Sequence, residues 1–599
     1  MLSCLPAVRV VRAFSSANRR LTIAVVATSV VGGLLVPGFA LATGALIGSI
    51  RRDSDVTTPL VVIFVLFVAG RLVDPVREQL GEGLWRQLDE WLSQRLMVAM
   101  GSPPGIAHVE NAEVRDQVAQ TQGLVTGVTP GEAGWWLGPV VLLWVQGVAS
   151  LAIVAAYRWW LAIALAVGYA VAYRISRRHW HDVTLVLMGR TPRLRRSYYV
   201  RTLALTAQVA KETRVFGLSD WLVERYRQGW LAEMRDIWRS RREGWLASLA
   251  AALFVGAVEL AVVGLLVRQA RGGHLSVAAV VTLVQAVLGA AVLARYDDGN
   301  WYLSEFVRVL DRIGGVEAAG ENVGGLVAGG TRSAEGMPAG SIRFENVTFT
   351  YPGSTEPVFE GLDLEIAAGQ SLAVVGENGA GKTTLIKLLT RLYDPQVGSV
   401  KVDGVDLREF APDSWHLRVG AVFQDYVRFE ASAYDNVAFG NLARRDDRAL
   451  VLEAAQLSGA EQAVERFPDG WSTVLTRQVT GGAELSGGEW QRLALARALF
   501  AVKSGAGLLI LDEPTASLDV RGEAQVYSRF LELTRGVTTI VVSHRFSTVR
   551  RADRIVVIEH GRVLEDGTHP ELVAAGGRYA TMYRLQASKF AAPTGADGV

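Results

Sequence analysis

Long apolar runs broken by arginine-rich stretches fill the first half of the chain, and shorter, more regular patterns fill the second. Six runs are candidates to cross a bilayer: 21–47, 60–73 with its flanks, 136–156, 159–175, 248–266 and 275–294. A spanning helix needs about 20 mostly apolar residues. Four runs meet that easily, while the second and fourth are shorter or end in charge. Soluble cores rarely hold apolar runs of this length. The stretches 77–128 and 176–243 are too polar for lipid yet keep an apolar period, which predicts helices extending well beyond the bilayer. Gly, Ala and Ser then dominate 314–340, which reads as a linker. After it, 342–351 alternates as a half-buried strand does. The predicted organisation is an all-α membrane domain over 1–320, a linker over 321–340, an α/β domain over 341–588 and a flexible tail over 589–599.

Composition sharpens this picture. Half of the 599 residues are hydrophobic, and the mean hydropathy is +0.23, unusual for a soluble protein. The net charge of +2 gives no reason to expect nucleic acid as a partner. A single cysteine, Cys4, excludes an internal disulfide framework and a cysteine metal cluster. It also gives no Cys–His pair for a leader peptidase, so leader cleavage by this chain is not expected. Arg19-Arg20 before the first run, with Ala40-Leu41-Ala42 near its end, loosely resemble a signal peptide, but the run is too long for one and more follow. Arg9, Arg12, Arg19 and Arg20 precede the first run. Arg174, Arg177, Arg178, Arg190, Arg193, Arg195 and Arg196 follow the fourth. That bias predicts a cytosolic N-terminus and, with six spans, a cytosolic second half. The expected location is the cell (inner or plasma) membrane, as a multi-pass protein in the lipid bilayer.

The second half carries nucleotide chemistry. After the β-branched run 371–375 come Gly376-Glu377-Asn378-Gly379-Ala380-Gly381-Lys382-Thr383-Thr384 and then a helix-like stretch. Strand, G-x-x-x-x-G-K-T loop and helix form the Walker A arrangement. Its glycines let backbone N–H groups curl around phosphates, Lys382 reaches the β- and γ-phosphates of ATP, and the Thr383 hydroxyl is placed for Mg²⁺. The apolar run 508–511 ends in Asp512 and Glu513. The first acid suits the Mg²⁺ shell, and the second suits orienting and deprotonating a water. Gln424, after the strand-like 419–423, serves equally as a metal or water contact or as an ordinary polar loop residue. His544 follows the strand-like 539–543, and reads either as a structural histidine or as a γ-phosphate contact. Leu485-Ser486-Gly487-Gly488-Glu489 opens an arginine-rich helix whose free N–H groups suit a phosphate, with a plain Ser486 N-cap as the alternative.

In this order, the motifs of 341–588 resemble the nucleotide-binding domain of an ABC transporter. The resemblance implies that Tyr351 stacks on adenine, that 376–384 is Walker A, that Gln424 is the Q-loop and that 485–491 is the family signature, Ser486, Gly487 and Gly488 contacting phosphate. It further implies that 508–513 is Walker B with Glu513 as catalytic glutamate, that Ser517-Leu518-Asp519 is the D-loop and that His544 is the switch histidine. Glu489 departs from the commoner Gln. Residues 1–320 are similar to the six-helix domain of ABC exporters, and 105–122 and 210–217 resemble its coupling segments. A half-transporter of this kind implies a second chain, as a homodimer or a heterodimer, sandwiching two ATPs. It implies export by alternating access, with an importer of the same fold as the alternative. Six spans argue against a soluble ABC ATPase acting on ribosomes or DNA. Cargo is not legible. Glu259, near the middle of the fifth run, is expected either to face a cavity and read a cationic or polar cargo, or to hydrogen-bond Gln146 or Gln285.

Overall fold

The computed structural model describes residues 6–121, 129–187, 192–206, 209–322, 326, 330–513, 532–543 and 545–590. The chain divides into two units: Met1–Ser102 with Asn111–Ala318, and Pro103–Glu110 with Ala319–Val599.

The first unit is helical, and six of its helices are long and apolar enough to cross a membrane: Arg9–Arg51, Thr57–Gly101, Pro130–Tyr157, Trp159–Arg178, Trp245–Arg271 and Val277–Gly320. Five contain an expected run, and the sixth takes in all but the first two residues of 275–294. Leu60, Val61, Phe64, Val65 and Phe67 on the second are all exposed, as suits a helix solvated by lipid tails rather than water. The polar stretches between runs continue as helix. Thr57–Gly101 has 45 residues and Ser219–Arg271 has 53, about 65 and 80 Å at the usual rise and far more than a bilayer needs.

Local chemistry sets the breaks. Helix Pro6–Arg51 turns at Asn18, whose φ of −159° and ψ of 104° leave the helical region. The Asn18 side chain accepts the Leu21 N–H at 2.9 Å, capping the spanning segment as Asn does at an N-terminus. A Cβ on Gly33 would lie 2.6 Å from the Leu142 carbonyl oxygen. Glycine there lets the backbones of the first and third spanning helices approach closely, as small residues do in membranes. The sixth is discontinuous: Val277–Ala290 tightens into a 3₁₀ turn at Ala291–Ala294, passes an extended Arg295 and resumes as Asp298–Asn322. Helix therefore runs through Gly314 and Gly315, where composition suggests the linker opens. Glu259 accepts a hydrogen bond from the Tyr169 hydroxyl at 3.0 Å, not from either expected glutamine. Gln146 is occupied in donating to the Gly289 carbonyl.

The second unit is α/β. A four-stranded antiparallel sheet runs in the order β2-β1-β4-β5, with β1 Ser341–Phe349, β2 Phe359–Ala367, β4 Val397–Val402 and β5 Val405–Asp406. A six-stranded sheet runs β10-β9-β3-β8-β7-β6, with β3 Ser371–Val375, β6 Val419–Val422, β7 Leu508–Asp512, β8 Thr538–Val542, β9 Arg554–Glu559 and β10 Arg562–Gly567. Strands β9, β3, β8, β7 and β6 are parallel in succession, and only β10 is antiparallel. Every residue of β7 and β8 is buried, which is why they read as unbroken apolar runs. By contrast Ile342 and Phe344 of β1 are buried around an exposed Arg343, the alternation of a sheet with one wet face. Ligands of such parallel sheets collect beyond the carboxyl ends of the strands, and here the nucleotide motifs lie there.

Candidate nucleotide site

A cavity of about 550 Å³ opens at the carboxyl ends of β3, β6, β7 and β8, within the range of small-ligand sites. Asn378, Gly379, Gly381, Lys382, Thr383 and Thr384 form one wall. Gln424, Asp512 and Glu513 form another, with Tyr351 and Val358 at the side. The loop needs its glycines: Gly381 has a φ of +102°, and a Cβ there would lie 2.6 Å from the Phe359 ring. Any side chain would be both strained and blocked. Lys382 is buried and donates from Nζ to the carbonyls of Gly376 at 2.9 Å and Glu377 at 2.8 Å. Burial pushes its pKa down, while Glu513 and Asp512 pull it back up. The helix Lys382–Leu389 starts in the loop, so its unsatisfied N–H groups face the phosphate position. Tyr351 shares a hydroxyl hydrogen bond of 3.0 Å with Thr384, which holds the ring at the cavity edge.

Opposite the lysine, Asp512 ends β7 and is 3% exposed. Burial, with Glu513 and Asp425 adding like charge, pushes its carboxyl up to about 6 against the pull of Lys382. Glu513 follows with a φ of +43°, a left-handed conformation that non-glycine residues rarely adopt. Its N–H is tied to the Val542 carbonyl at 2.9 Å. Its Oε2 accepts from Gln424 Nε2 at 3.0 Å. This donor set fits Mg²⁺: a hydroxyl and one or two carboxylates leave positions for water and phosphate oxygens. Gln424 lines the cavity beside Glu513.

Ser486, Gly487 and Gly488 do not line this cavity. Ser486 caps the helix Gly487–Lys503 in a reciprocal box with Glu489. Its N–H donates to Glu489 Oε2 at 2.7 Å. Arg466 grips the same carboxylate at 2.6 and 3.0 Å. Burial alone would raise the Glu489 carboxyl, but the Ser486 and Arg466 hydrogen bonds bring it below its ordinary value. His544 and Asp519 lie outside the described residues.

Sequence reasoning missed three contributors. Asp425 adds charge beside Asp512. Arg466 balances Glu489. Glu110, in the Pro103–Glu110 segment of this unit, receives hydrogen bonds from Lys387 Nζ at 2.8 Å and the Tyr393 hydroxyl at 2.5 Å. Lys387 Nζ also sits 5.1 Å over the Tyr351 ring. Asp425 adjoins Gln424 and was findable by position; the other two pair with distant residues and leave no local signal.

The described residues thus form a domain with six helices long and apolar enough to cross a membrane and an α/β domain whose cavity is shaped to hold a nucleotide. Residues 359–516 match the family model described as ABC transporter. The chain is 41% identical over 247 residues to an ATP-dependent lipid A-core flippase of Chromohalobacter salexigens, covering 41% of each chain. It is 33% identical over 384 residues to an ATP-dependent lipid A-core flippase of Dechloromonas aromatica, 63% of this chain and 62% of that one. A beta-(1-->2)glucan export ATP-binding/permease protein of Bartonella henselae is 37% identical over 269 residues, 44% of each. The chain thus spans about two fifths to three fifths of the length of these relatives. A solved structure of a bacterial Atm1-family ABC exporter with ATP bound superposes with a TM-score of 0.76 and 24% identity, covering 96% of this chain and 99% of that one. At that identity the likeness establishes the fold.

Two outcomes are expected. Asp512 has a folded pKa above the ordinary 3.8, so its ionisation opposes folding of the nucleotide-free, metal-free protein. That penalty is absent below the unfolded value and grows as pH rises through about 6. Asp512→Asn should therefore raise the melting midpoint in chelator more at about pH 7.5 than at about pH 4.5, by up to about 3 kcal/mol of stability; an equal shift at both would refute this. Second, a bare Glu489 carboxylate at a helix start would repel a phosphate that neutral Gln would not, and Arg466 cancels it. Arg466→Ala should slow ATP hydrolysis about fivefold, and adding Glu489→Gln should restore it, a coupling that a double-mutant cycle reads directly.

Proposed function

We propose that this chain is an ATP-driven exporter that works as a homodimer in the cell membrane with its nucleotide domains in the cytosol. The observation that carries this reading is one cavity gathering Lys382, Thr383, Gln424, Asp512 and Glu513 in a chain with six membrane-crossing helices. Loop N–H groups and Lys382 hold the β- and γ-phosphates, and Tyr351 stacks on adenine. Thr383 and Asp512, with Gln424, hold Mg²⁺, which when bound neutralises charge on the phosphates. Glu513, steadied by Gln424, orients a water and takes its proton as the water oxygen attacks the γ-phosphorus and ADP leaves. By the same resemblance His544 would steady the γ-phosphate and Asp519 would take part in nucleotide binding; both lie outside the described residues.

The position of Ser486–Gly488 outside the chain's own cavity supports composite sites, each closed by the signature helix of a second copy. ATP then favours the closed pair because it touches both halves there, and hydrolysis removes that preference. Coupling runs through Glu110. The segment Pro103–Glu110 is joined in sequence to the second and third spanning helices, while its carboxylate holds Lys387 and Tyr393 beside the adenine-stacking Tyr351. Export rather than uptake is favoured because the relatives' names describe flippases and an exporter, and no observation favours an importer.

Glu513→Gln should cut ATP hydrolysis by about a hundredfold or more, the usual worth of a general base. ATP binding should persist, and the protein should accumulate as a nucleotide-bound dimer on mass measurement in detergent. Parent-rate hydrolysis, or a hydrolysing monomer, would overturn the assignment. Glu110→Ala should leave basal hydrolysis within about twofold but weaken coupling about fivefold or more. The readout is the ATP-dependent change in distance between spin labels on the paired fourth helices; an unchanged response would remove Glu110 from the coupling path.

A further inference from the structure

Within the membrane domain, a cavity of about 860 Å³ lies between the third and fourth spanning helices and the 3₁₀ break in the sixth. Its lining is divided by chemistry. Trp144, Leu151, Ala166 and Leu293 give it an apolar wall, and Tyr169 and Tyr173 add amphipathic rings. At one end stand Arg174, Arg177 and Arg178. Residues 166, 169, 170, 173, 174, 177 and 178 follow helical spacing, so one face of the fourth helix grades from apolar to cationic over about 18 Å.

The three guanidiniums sit within about one turn, at the i, i+3 and i, i+4 spacings where like charges repel. Among the described residues none forms an ion pair with a carboxylate, and no acid lines the cavity. Asp297, the acid at the helix break, is held by the backbone and side chain of Asn300. Glu259 does not line the cavity and is bound by Tyr169. A cytosolic-side arginine bias explains three arginines near a span end. It does not require all three to line the same cavity as Trp144 and Tyr173. Non-helical backbone near membrane depth is tolerated where it lines a cavity, as the break carrying Leu293 does.

Building on the export reading above, we infer that this cavity binds an amphipathic anion, with a phosphate or carboxylate head on Arg174, Arg177 and Arg178 and an apolar body against Trp144, Leu151 and Leu293. Guanidinium forks suit such heads. The volume falls within that of cavities that enclose small molecules. This reverses the sign expected from Glu259: the charge that reads cargo is positive on the protein and negative on the ligand.

The test uses the full chain in discs of zwitterionic phospholipid, titrated with dodecyl phosphate and with dodecyltrimethylammonium, which share a tail and differ in charge. The phosphate should raise the melting midpoint at about tenfold lower concentration than the ammonium. Equal potency overturns the inference on the native chain, before any variant is made. Arg174→Gln/Arg177→Gln/Arg178→Gln should erase the preference, whereas Arg12→Gln/Arg19→Gln/Arg20→Gln, which removes three arginines from the same side, should keep it; equal loss in both also overturns it. Liposomes then separate the sources. ATPase stimulation by phosphatidylglycerol built into the bilayer assigns the ligand to the membrane, stimulation only by added dodecyl phosphate assigns it to solution, and neither response refutes the site. Basal hydrolysis in the same samples keeps the two readings apart: its absence sinks the export reading, while hydrolysis without anion preference sinks this inference alone.

Discussion

Two adjacent acids at the end of a fully buried strand set the terms for the nucleotide domain. Asp512 and Glu513 sit where β7 leaves the sheet, and burial with like charge keeps Asp512 well above an ordinary carboxylate. Water scarcely reaches the buried Asp512 there, so the surrounding elements supply the answer to its charge. The β3 loop sends Lys382 toward the acids, β6 brings Gln424 to Glu513, and the first turn after the loop offers Thr383. Parallel strands make this possible because their carboxyl ends open on one side. In the proposed ATP-hydrolysing function, cation and phosphates would relieve the charge of these acids, so binding energy would be released where chemistry is needed.

The same balance of charge appears at Glu489, in the turn that opens the helix Gly487–Lys503. A carboxylate one turn into a helix is favourable for the helix itself, since it caps the Ser486 N–H and complements the dipole. It is unfavourable for an incoming anion. Arg466, 23 residues earlier in the chain, lets Glu489 keep the first role without the second. The pair is part exposed, so its contribution to stability is small; its effect is on the local potential.

What was legible in the sequence follows from the range of each interaction. Lipid imposes its demand on consecutive residues, so six apolar runs were readable, and each coincides, within two residues, with part of a segment that can cross a membrane. The phosphate loop was readable because its glycines and Lys382 are fixed by local backbone geometry. Pairings between distant positions were not. Glu110 with Lys387, Arg466 with Glu489 and Tyr169 with Glu259 join residues whose neighbours in the chain carry no trace of the contact. Helix through Gly314 and Gly315 was hidden for a related reason. Glycine weakens a helix only by about 1 kcal/mol, and the buried Val309, Leu310, Ile313 and Val316 supply packing that composition does not show.

Glu259 finds a hydrogen-bond partner within the protein. An acid at bilayer depth is costly enough to demand a partner, and reading it as a cargo contact assumes that the partner comes from outside. Tyr169 supplies a hydroxyl from the neighbouring helix instead, and the same hydroxyl lies 3.1 Å from the Val287 carbonyl. The acid thereby ties the fourth and fifth spanning helices to the sixth just before its 3₁₀ break. Tyr169 also lines the membrane cavity, so the hydrogen bond that satisfies Glu259 fixes the orientation of a cavity wall. The acid shapes the cavity from behind, while the arginines facing into it give the cavity its charge.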